Sequence, residues 1–160
     1  MPVTISTEQY LDTAAELLAG GADIVAVPIK GSSMRPFLKE GDTVFVSPLS
    51  SPPRKGQIIL YRRPGGRYIL HRVLSKKGGA YSTLGDAQLI PEHGILPSQI
   101  IGCAAAADRC GRRITPSNPV WKFYTAAKFL LYPFQRALYM LHRRKKGSVS
   151  IVGVEQNQET

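Results

Sequence analysis

The sequence contains only two cysteines, Cys103 and Cys110, among its 160 residues. So few cysteines exclude a disulfide-stapled fold, although the six residues between them leave one bridge geometrically possible. Two buried thiols are the favoured arrangement. No Cys-x-x-Cys pair occurs and the three histidines lie far apart, so the usual zinc-site patterns are excluded. We therefore expect no metal and no other cofactor.

Long apolar runs are also missing, and acidic residues are few. Residues 1–22 carry Glu8, Asp12 and Glu16, and they lack both the basic start of a signal peptide and the apolar length of a membrane anchor. We therefore expect a cytoplasmic protein, with peripheral membrane association as an open option. Lysine and arginine number 21 against 11 acidic residues, and the net charge of +10 favours an anionic partner. Because no helix-turn-helix, zinc-finger or RNA-binding motif accompanies this charge, we expect no nucleic acid partner.

Short β-branched and apolar segments, separated by glycine and proline turns, dominate the middle of the chain. They predict strands over 23–29, 43–46, 57–62, 67–74, 80–84 and 100–106, with 112–114 extending the last. Pro28 favours a sheet edge for the first strand. Apolar residues at three- and four-residue spacing predict a helix over 7–18, capped by Ser6 or Thr7. The predicted fold class is therefore mainly β: a compact twisted β-domain with a short N-terminal helix and a C-terminal amphipathic helix.

The segment after Pro119 predicts the second helix and completes the domain organisation. Residues 120–141 separate apolar from polar side chains at helical spacing. The apolar face holds Phe123, Ala126, Ala127, Leu130, Phe134, Ala137, Leu138 and Leu141. The opposite face holds Thr125, Lys128, Tyr132, Gln135, Arg136 and Tyr139. The predicted units are an N-terminal helix (1–22), a β-domain (23–115), an amphipathic basic helix (119–146) and a flexible tail (147–160).

Charge and apolar surface allow two kinds of partner for this second helix. Internal cations and Pro133 argue against a helix that spans a membrane. The basic run at 143–146 favours contact with a membrane surface through residues 119–146. The alternative is that the apolar face covers a shelf of the β-domain or of a partner protein. The sequence leaves both open, with a lean toward the membrane.

Ser33 and His71 are the candidate nucleophile and base. Ser33 stands between Gly31 and Pro36, in a turn that would present its hydroxyl, and a serine hydroxyl needs a base to remove its proton. His71 lies in a predicted strand and titrates near neutrality, which suits proton transfer. Ser32 competes for the nucleophile's role, and residue chemistry alone does not separate the two serines. The chain order of serine, histidine and acid differs from those of chymotrypsin, subtilisin and α/β-hydrolases, so a different fold is expected.

Five motifs, taken in order, resemble those of the type I signal peptidase superfamily, which includes LexA-like self-cleaving repressors. They are Gly31-Ser32-Ser33-Met34-Arg35-Pro36, Gly41-Asp42, His71-Arg72-Val73, Gly85-Asp86 and Ile100-Ile101-Gly102. The serine–histidine pairing resembles the archaeal and endoplasmic-reticulum branch, without the N-terminal membrane anchor usual there. The resemblance implies a serine endopeptidase that cleaves a signal, leader or precursor peptide. A self-cleaving regulator and a non-catalytic peptide-binding module on the same fold are the alternatives.

The resemblance also implies an acid that orients the histidine. The matching position, six residues after Asp86, holds Glu92, and a glutamate can hold an imidazole tautomer as an aspartate does. Asp86 is the alternative acid. Arg72 would point to the opposite face of its strand from His71, in a structural or exposed position. His93, beside Glu92, is expected to be exposed.

Substrate contacts follow from the same resemblance. The strand that leads to the nucleophile would pair with an extended peptide or protein substrate. Ile29, Gly31, Ser32 and Met34 are therefore the expected substrate-binding residues. The backbone N–H of Ser33 would stabilise the oxyanion, and Gly31 stands where some relatives have a serine that supplies a second donor.

Overall fold

The structure, a computed structural model, describes residues 6–147, with side chains described as far as Arg143. Within these residues the chain forms helix α1 (Thr7–Ala19), eight strands and helix α2 (Pro119–Gly147). The strands are β1 (Val25–Pro28), β2 (Thr43–Ser47), β3 (Ile58–Arg62), β4 (Tyr68–Lys77), β5 (Ala80–Leu84), β6 (Glu92–Ile95), β7 (Ile100–Arg109) and β8 (Arg112–Ile114). The predicted mainly β fold with two helices is confirmed. Apart from Gly147, the predicted tail lies outside the described residues.

The strands form one antiparallel sheet in the order β1-β2-β7-β3-β4-β5-β6, with β8 paired to β7. β1 lies at an end of this order, where Pro28 interrupts no central ladder, so the edge prediction is confirmed. No sequence signal indicates β6, because this strand has a single large apolar residue, Ile95. Pairing with β5 forms this strand, through Tyr81 opposite Ile95 and Thr83 opposite Glu92.

Two local predictions at the strand ends are wrong. The strand expected over 67–74 is longer, because β4 continues to Lys77, whose backbone pairs with Ala80 in an extended hairpin. Cys110 is exposed rather than buried, since it occupies the tight turn between β7 and β8 with a positive φ of 51°. Cys103 is half-buried, and both thiols are free. Side-chain polarity did not decide the strand ends, because backbone pairing extends exposed hairpins.

Side-chain alternation along β4 divides its residues between two packed regions. Leu70 packs against the larger core, which includes Phe37, while Val73 belongs to a smaller cluster. Successive strand residues point to opposite faces, so Arg72 points to the larger core and His71 to the smaller cluster. Arg72 is 1% exposed. Of the two positions considered for it, structural or exposed, Arg72 therefore has the structural one.

Helix α2 packs on the β-domain with the face opposite its apolar one. Trp121 and Tyr132 are buried, and the Trp121 ring lies edge-on to Phe37 with centroids 5.0 Å apart. Phe134 is 71% exposed and Leu130 is 70% exposed. The idea that this apolar face covers the β-domain is therefore wrong. Neither helix of the described chain is long and apolar enough to cross a membrane.

Candidate active site

The loop that carries Ser33 connects β1 to β2 and is anchored at both ends. The N–H of Ile29, at its start, donates to the carbonyl of Asp42, at its end (2.8 Å), and within the loop the Met34 side chain, directly after Ser33, is buried in the larger core. Ser33 is half-buried between these anchors, while Ser32 is exposed. The loop therefore presents Ser33 from a fixed backbone.

A cavity of about 190 Å³ opens beside this loop. Its walls come from α1, from the segment 27–34 and from β3 and β4, and include Thr7, Leu11, Ile29, Gly31, Ser33, Met34, Leu60 and Leu70. Three of the predicted substrate-binding residues therefore line it, and Ser32 does not. This arrangement favours Ser33 over Ser32 as the nucleophile.

His71 lies in a polar pocket of the smaller cluster. Its Nδ1 is 3.4 Å from the hydroxyl of Tyr61, and that hydroxyl donates to Oε2 of Glu92 at 2.6 Å. Because Tyr61 gives its single proton to Glu92, Nδ1 must carry the proton in the contact with His71. The acceptor lone pair of the imidazole is then on Nε2, as a general base requires.

The Nε2 atom of His71 has no hydrogen-bond partner among the described residues. Every fully buried side-chain nitrogen and oxygen of those residues does have one. Nε2 is therefore on the small accessible part of a side chain whose residue is only 3% exposed. The ring thus presents its basic nitrogen to the surface from an otherwise closed pocket.

Burial sets the charge of this imidazole. Desolvation lowers the pKa of His71 to about 4, with Glu92 opposing the shift and Arg63 adding to it. Arg63 forms two hydrogen bonds to Glu92, at 2.6 and 2.5 Å, which lower the pKa of that carboxyl. His71 is therefore neutral and Glu92 ionised at neutral pH.

Gly85 brings the nucleophile loop and His71 into proximity. Arg72 pairs with Leu84, so one further step in the same register places Gly85 opposite His71. A Cβ built on Gly85 would lie 2.5 Å from the carbonyl oxygen of Ser33, and the Ala87 N–H donates to that oxygen at 2.8 Å. Opposite residues of an antiparallel pair project to the same face. The Ser33 backbone therefore lies next to Gly85, the residue opposite His71, on the face of the sheet to which the His71 side chain points.

The proximity stops short of a catalytic hydrogen bond. Within the described residues, the hydroxyl of Ser33 bonds to no other group, and its N–H forms no backbone hydrogen bond. The serine–histidine bond is often long or absent in an unliganded site and tightens around substrate. The free N–H of Ser33 is a donor available to an oxyanion.

Asp86 has another partner than His71. Both of its carboxylate oxygens accept hydrogen bonds from Arg72, at 2.7 and 3.0 Å, and both side chains are almost fully buried. Burial raises the pKa of Asp86, and the hydrogen bonds from Arg72 oppose that rise. Lys128 of α2 donates to the carbonyls of Asp86 and Gln88. Asp86 therefore joins β4, the following loop and α2, and does not orient the imidazole.

Helix α1 covers the outer edge of β1. The Tyr10 hydroxyl donates to the carbonyl of Ala26 at 2.5 Å, and Lys30 donates to Thr7. Across the cavity, the Tyr68 hydroxyl of β4 donates to Asp12 at 2.5 Å. The helix therefore lies where an extended substrate would pair with β1.

Sequence reasoning missed Tyr61, Thr83 and Arg63. Tyr61 contacts both His71 and Thr83 through its hydroxyl, and Arg63 holds Glu92. The alternation of β3 against β4 could have indicated Tyr61, since Ile59 is opposite His71 and Tyr61 projects to the same face two residues later. No signal indicated Arg63, which follows the end of its strand. His93 is exposed, as expected.

Comparison with known protein families identifies the family of this chain. The family model described as Peptidase S24-like matches residues 2–84, which include Ser33 and His71 and end before Asp86 and Glu92. No curated protein matches the chain. The family match indicates the fold of a serine peptidase or a self-cleaving regulator. Because the matched residues are just over half of the sequence, the chain belongs to the Peptidase S24-like family.

Proposed function

We propose that this protein is a serine endopeptidase of the serine–histidine type that cleaves a signal, leader or precursor peptide. The observation that carries the proposal is the approach of the Ser33 backbone to Gly85, opposite a neutral His71 whose Nε2 is unpaired. Membership of a peptidase family supports the same chemistry. The cavity beside Ser33 supplies a place for a side chain of the substrate next to the scissile bond.

The reaction follows the acyl-enzyme route. Ser33 Oγ attacks the peptide carbonyl while Nε2 of His71 takes the hydroxyl proton. The tetrahedral intermediate places its negative oxygen near the free N–H of Ser33. His71 then returns the proton to the leaving amine, and a water activated by the same nitrogen releases the acyl group. Tyr61 and Glu92 hold the proton on Nδ1 throughout.

Peptide cleavage by purified protein tests this proposal. A peptide library rich in Ala-x-Ala sites is incubated with wild type, Ser33→Ala and His71→Ala, and products are read by mass spectrometry. Intact masses recorded in the same run report cleavage of the chain itself. We expect cleavage by wild type alone, with a loss on the order of a thousandfold or more in each variant.

Ser32→Ala is the matched control, because it removes a hydroxyl from the same loop at a position that does not line the cavity. It should cleave at a rate close to wild type. Undiminished cleavage by Ser33→Ala or His71→Ala would refute the proposed roles. Loss of activity in Ser32→Ala, with activity retained in Ser33→Ala, would show that Ser32 is the nucleophile.

A non-catalytic peptide-binding module is the second candidate function. The observation that favours it is that, within the described residues, the hydroxyl of Ser33 forms no hydrogen bond to His71, whose side-chain contact is with Tyr61. A small fluorophosphonate probe reports whether this serine is nevertheless activated, and it reaches a serine without displacing α1. Stoichiometric labelling of Ser33, absent in His71→Ala, would reject the binding module. Absence of labelling together with tight peptide binding would favour it.

A further inference from the structure

Helix α2 has two faces in opposite environments. One face packs on the β-domain through Trp121 and Tyr132, which are 4% and 8% exposed. The other leaves large apolar side chains in solvent, each at least half exposed: Phe123, Leu130, Phe134, Leu138 and Leu141. Their spacing of three, four and seven residues places them along one line of the helix surface. These five side chains form the apolar stripe of α2.

The same helix carries charge of a single sign. From 119 to 147 the sequence has seven lysines and arginines and no acidic residue, against a net charge of +10 for the whole chain. Four of the seven are consecutive, at 143–146, directly after the apolar stripe ends at Leu141. Apolar surface with adjoining cations is the pattern of a helix that lies in the interface of a bilayer with anionic lipids.

A second copy of the chain suits this face less well. Parallel pairing of two α2 helices along the apolar stripe would bring together the basic runs at 143–146 of both copies, and in either direction of pairing neither helix has an acidic residue to offset its cations. An anionic bilayer removes the apolar side chains from water and neutralises the cations together.

The apolar stripe also continues toward the nucleophile loop. Leu138 and His142 of α2 face Arg35 and Ala87 across an open groove. Arg35 is two residues after Ser33, and the Ala87 N–H holds the Ser33 carbonyl. A surface that contacts the stripe therefore lies beside the loop that carries the nucleophile.

We infer that α2 docks on anionic lipid bilayers through its apolar stripe. The helix lies along the membrane surface with the stripe in the interface and Trp121 directed away, toward the β-domain. This docking does not depend on peptidase activity, so Ser33→Ala protein should bind vesicles as wild type does.

Vesicle flotation with the full chain tests the inference. Wild type should float with vesicles of phosphatidylserine and phosphatidylcholine, and added salt should weaken the binding. Phosphatidylcholine vesicles should bind much less. Phe134→Glu/Leu138→Glu should lower binding to the anionic vesicles on the order of tenfold or more, because it puts charge into the stripe.

The matched control is Ile90→Glu/Leu96→Glu. It makes the same change of net charge at exposed apolar residues outside α2, at positions 61% and 52% exposed. It should retain most of the binding. Emission from Trp121, the single tryptophan, confirms that each variant is folded, since this ring is buried against Phe37.

Three outcomes would overturn the inference. The first is failure of wild type to float with anionic vesicles, and the second is an equal loss of binding in the stripe variant and the control. The third is a wild-type dimer, seen by sedimentation velocity without vesicle binding and dissociated in the stripe variant, which would assign the stripe to a second copy.

Discussion

At the scale of single residues, Tyr61 separates His71 from the carboxylate of Glu92. The phenol donates to Glu92 at 2.6 Å and contacts Nδ1 of His71 at 3.4 Å. The negative charge therefore acts on the imidazole from a distance, and burial dominates its titration. A carboxylate bonded directly to the ring would oppose this effect more strongly.

Replacing Tyr61 by phenylalanine removes the oxygen that accepts from Nδ1. We expect kcat for peptide cleavage to fall about tenfold with little change in KM, since one hydrogen bond of about 1–1.5 kcal/mol is lost in the transition state. The pH–rate profile should also change, which a purely structural role would not cause. Tyr81→Phe is the control, because Tyr81 is buried in the same cluster and contacts neither His71 nor Glu92 through its hydroxyl. Equal kcat values for the two variants would contradict the role of Tyr61.

The low pKa of His71 predicts how activity and stability depend on pH. Its pKa falls from 6.5 in the unfolded chain to about 4 in the folded one, so the neutral base persists to about pH 4. kcat/KM should stay level from about pH 7 to pH 5 and fall through about pH 4. The unfolded state binds the proton first as pH falls below 6.5, so folding stability is lost between the two pKa values.

Urea unfolding at neutral pH and near pH 4.5 measures this loss. The histidine contribution should be about 2 kcal/mol, obtained as the difference between wild type and His71→Asn. An acid limb of kcat/KM near pH 6.5, or equal pH dependence of stability in the two proteins, would show that the imidazole titrates normally.

At the scale of elements, β4 places the candidate base on one face of the sheet and a buried ion pair on the other. His71 points to the polar pocket that holds Tyr61 and Glu92, while Arg72 joins Asp86, the carbonyl of Gly56 and Thr125 of α2. The ion pair of Arg72 is almost fully buried, so losing one partner leaves an uncompensated charge in the core.

Arg72→Met should lower the free energy of unfolding by about 3–5 kcal/mol. Urea denaturation followed by Trp121 fluorescence measures the change. Arg113→Met is the control, because it breaks an ion pair with Asp108 in which both side chains are exposed. That control should change stability little. Similar losses in the two variants would mean that the burial of Arg72 is not what makes its pair important.

Gly85, directly after β5, constrains the position of the Ser33 loop by its lack of a side chain. A methyl group on Gly85 would meet the Ser33 carbonyl at 2.5 Å, and one on Gly102 would meet the Ser47 carbonyl at the same distance. Gly85→Ala should lower kcat about tenfold or more in the folded protein, because it displaces the nucleophile loop. Gly102→Ala carries the same kind of clash in the sheet, and should lower stability while its folded fraction retains kcat. Equal kcat values for the two variants would show that Gly85 does not position the Ser33 loop for catalysis.

At the scale of the whole molecule, α1 joins the two sides of the candidate cleft. It bonds to β1 through Tyr10 and to β4 through Asp12. A peptide that pairs with the outer edge of β1 must displace these contacts, so the proposed peptidase competes with its own helix for that edge.

Tyr10→Phe/Asp12→Ala should therefore increase peptide affinity about fivefold, through the loss of hydrogen bonds that hold α1. Affinity is measured with Ser33→Ala protein, so that cleavage does not contribute, and active protein should show a matching fall in KM. Glu16→Ala is the control, since it removes a charge from an exposed position of the same helix. Unchanged affinity in the double variant would mean that the peptide does not use this edge.

The sequence predicted most of the fold because its turns are explicit. Glycine and proline turns separate the strands, and the capping box of Ser6 and Gln9 starts α1 where expected. The candidate site was predicted only in part. Ser33 and Gly85 belong to recognisable motifs, but Tyr61 is identified only by the pairing of β3 with β4. Of the two arrangements left open for α2, cover of the β-domain by its apolar face is wrong, because hydrophobicity alone does not show which face of a helix meets the core. The face that packs carries Lys128, which donates hydrogen bonds to two backbone carbonyls.

The position of β7 in the sheet has a consequence for synthesis of the chain. β7 lies between β2 and β3, and Val44 pairs with Ala107 across a large sequence separation. Until residues near Ala107 leave the ribosome, β2 and β3 have no strand to join them. A nascent chain that has already exposed Ser33 and His71 therefore cannot assemble them into a working pair. The proposed peptidase becomes competent only after β7 has been synthesised and has left the ribosome.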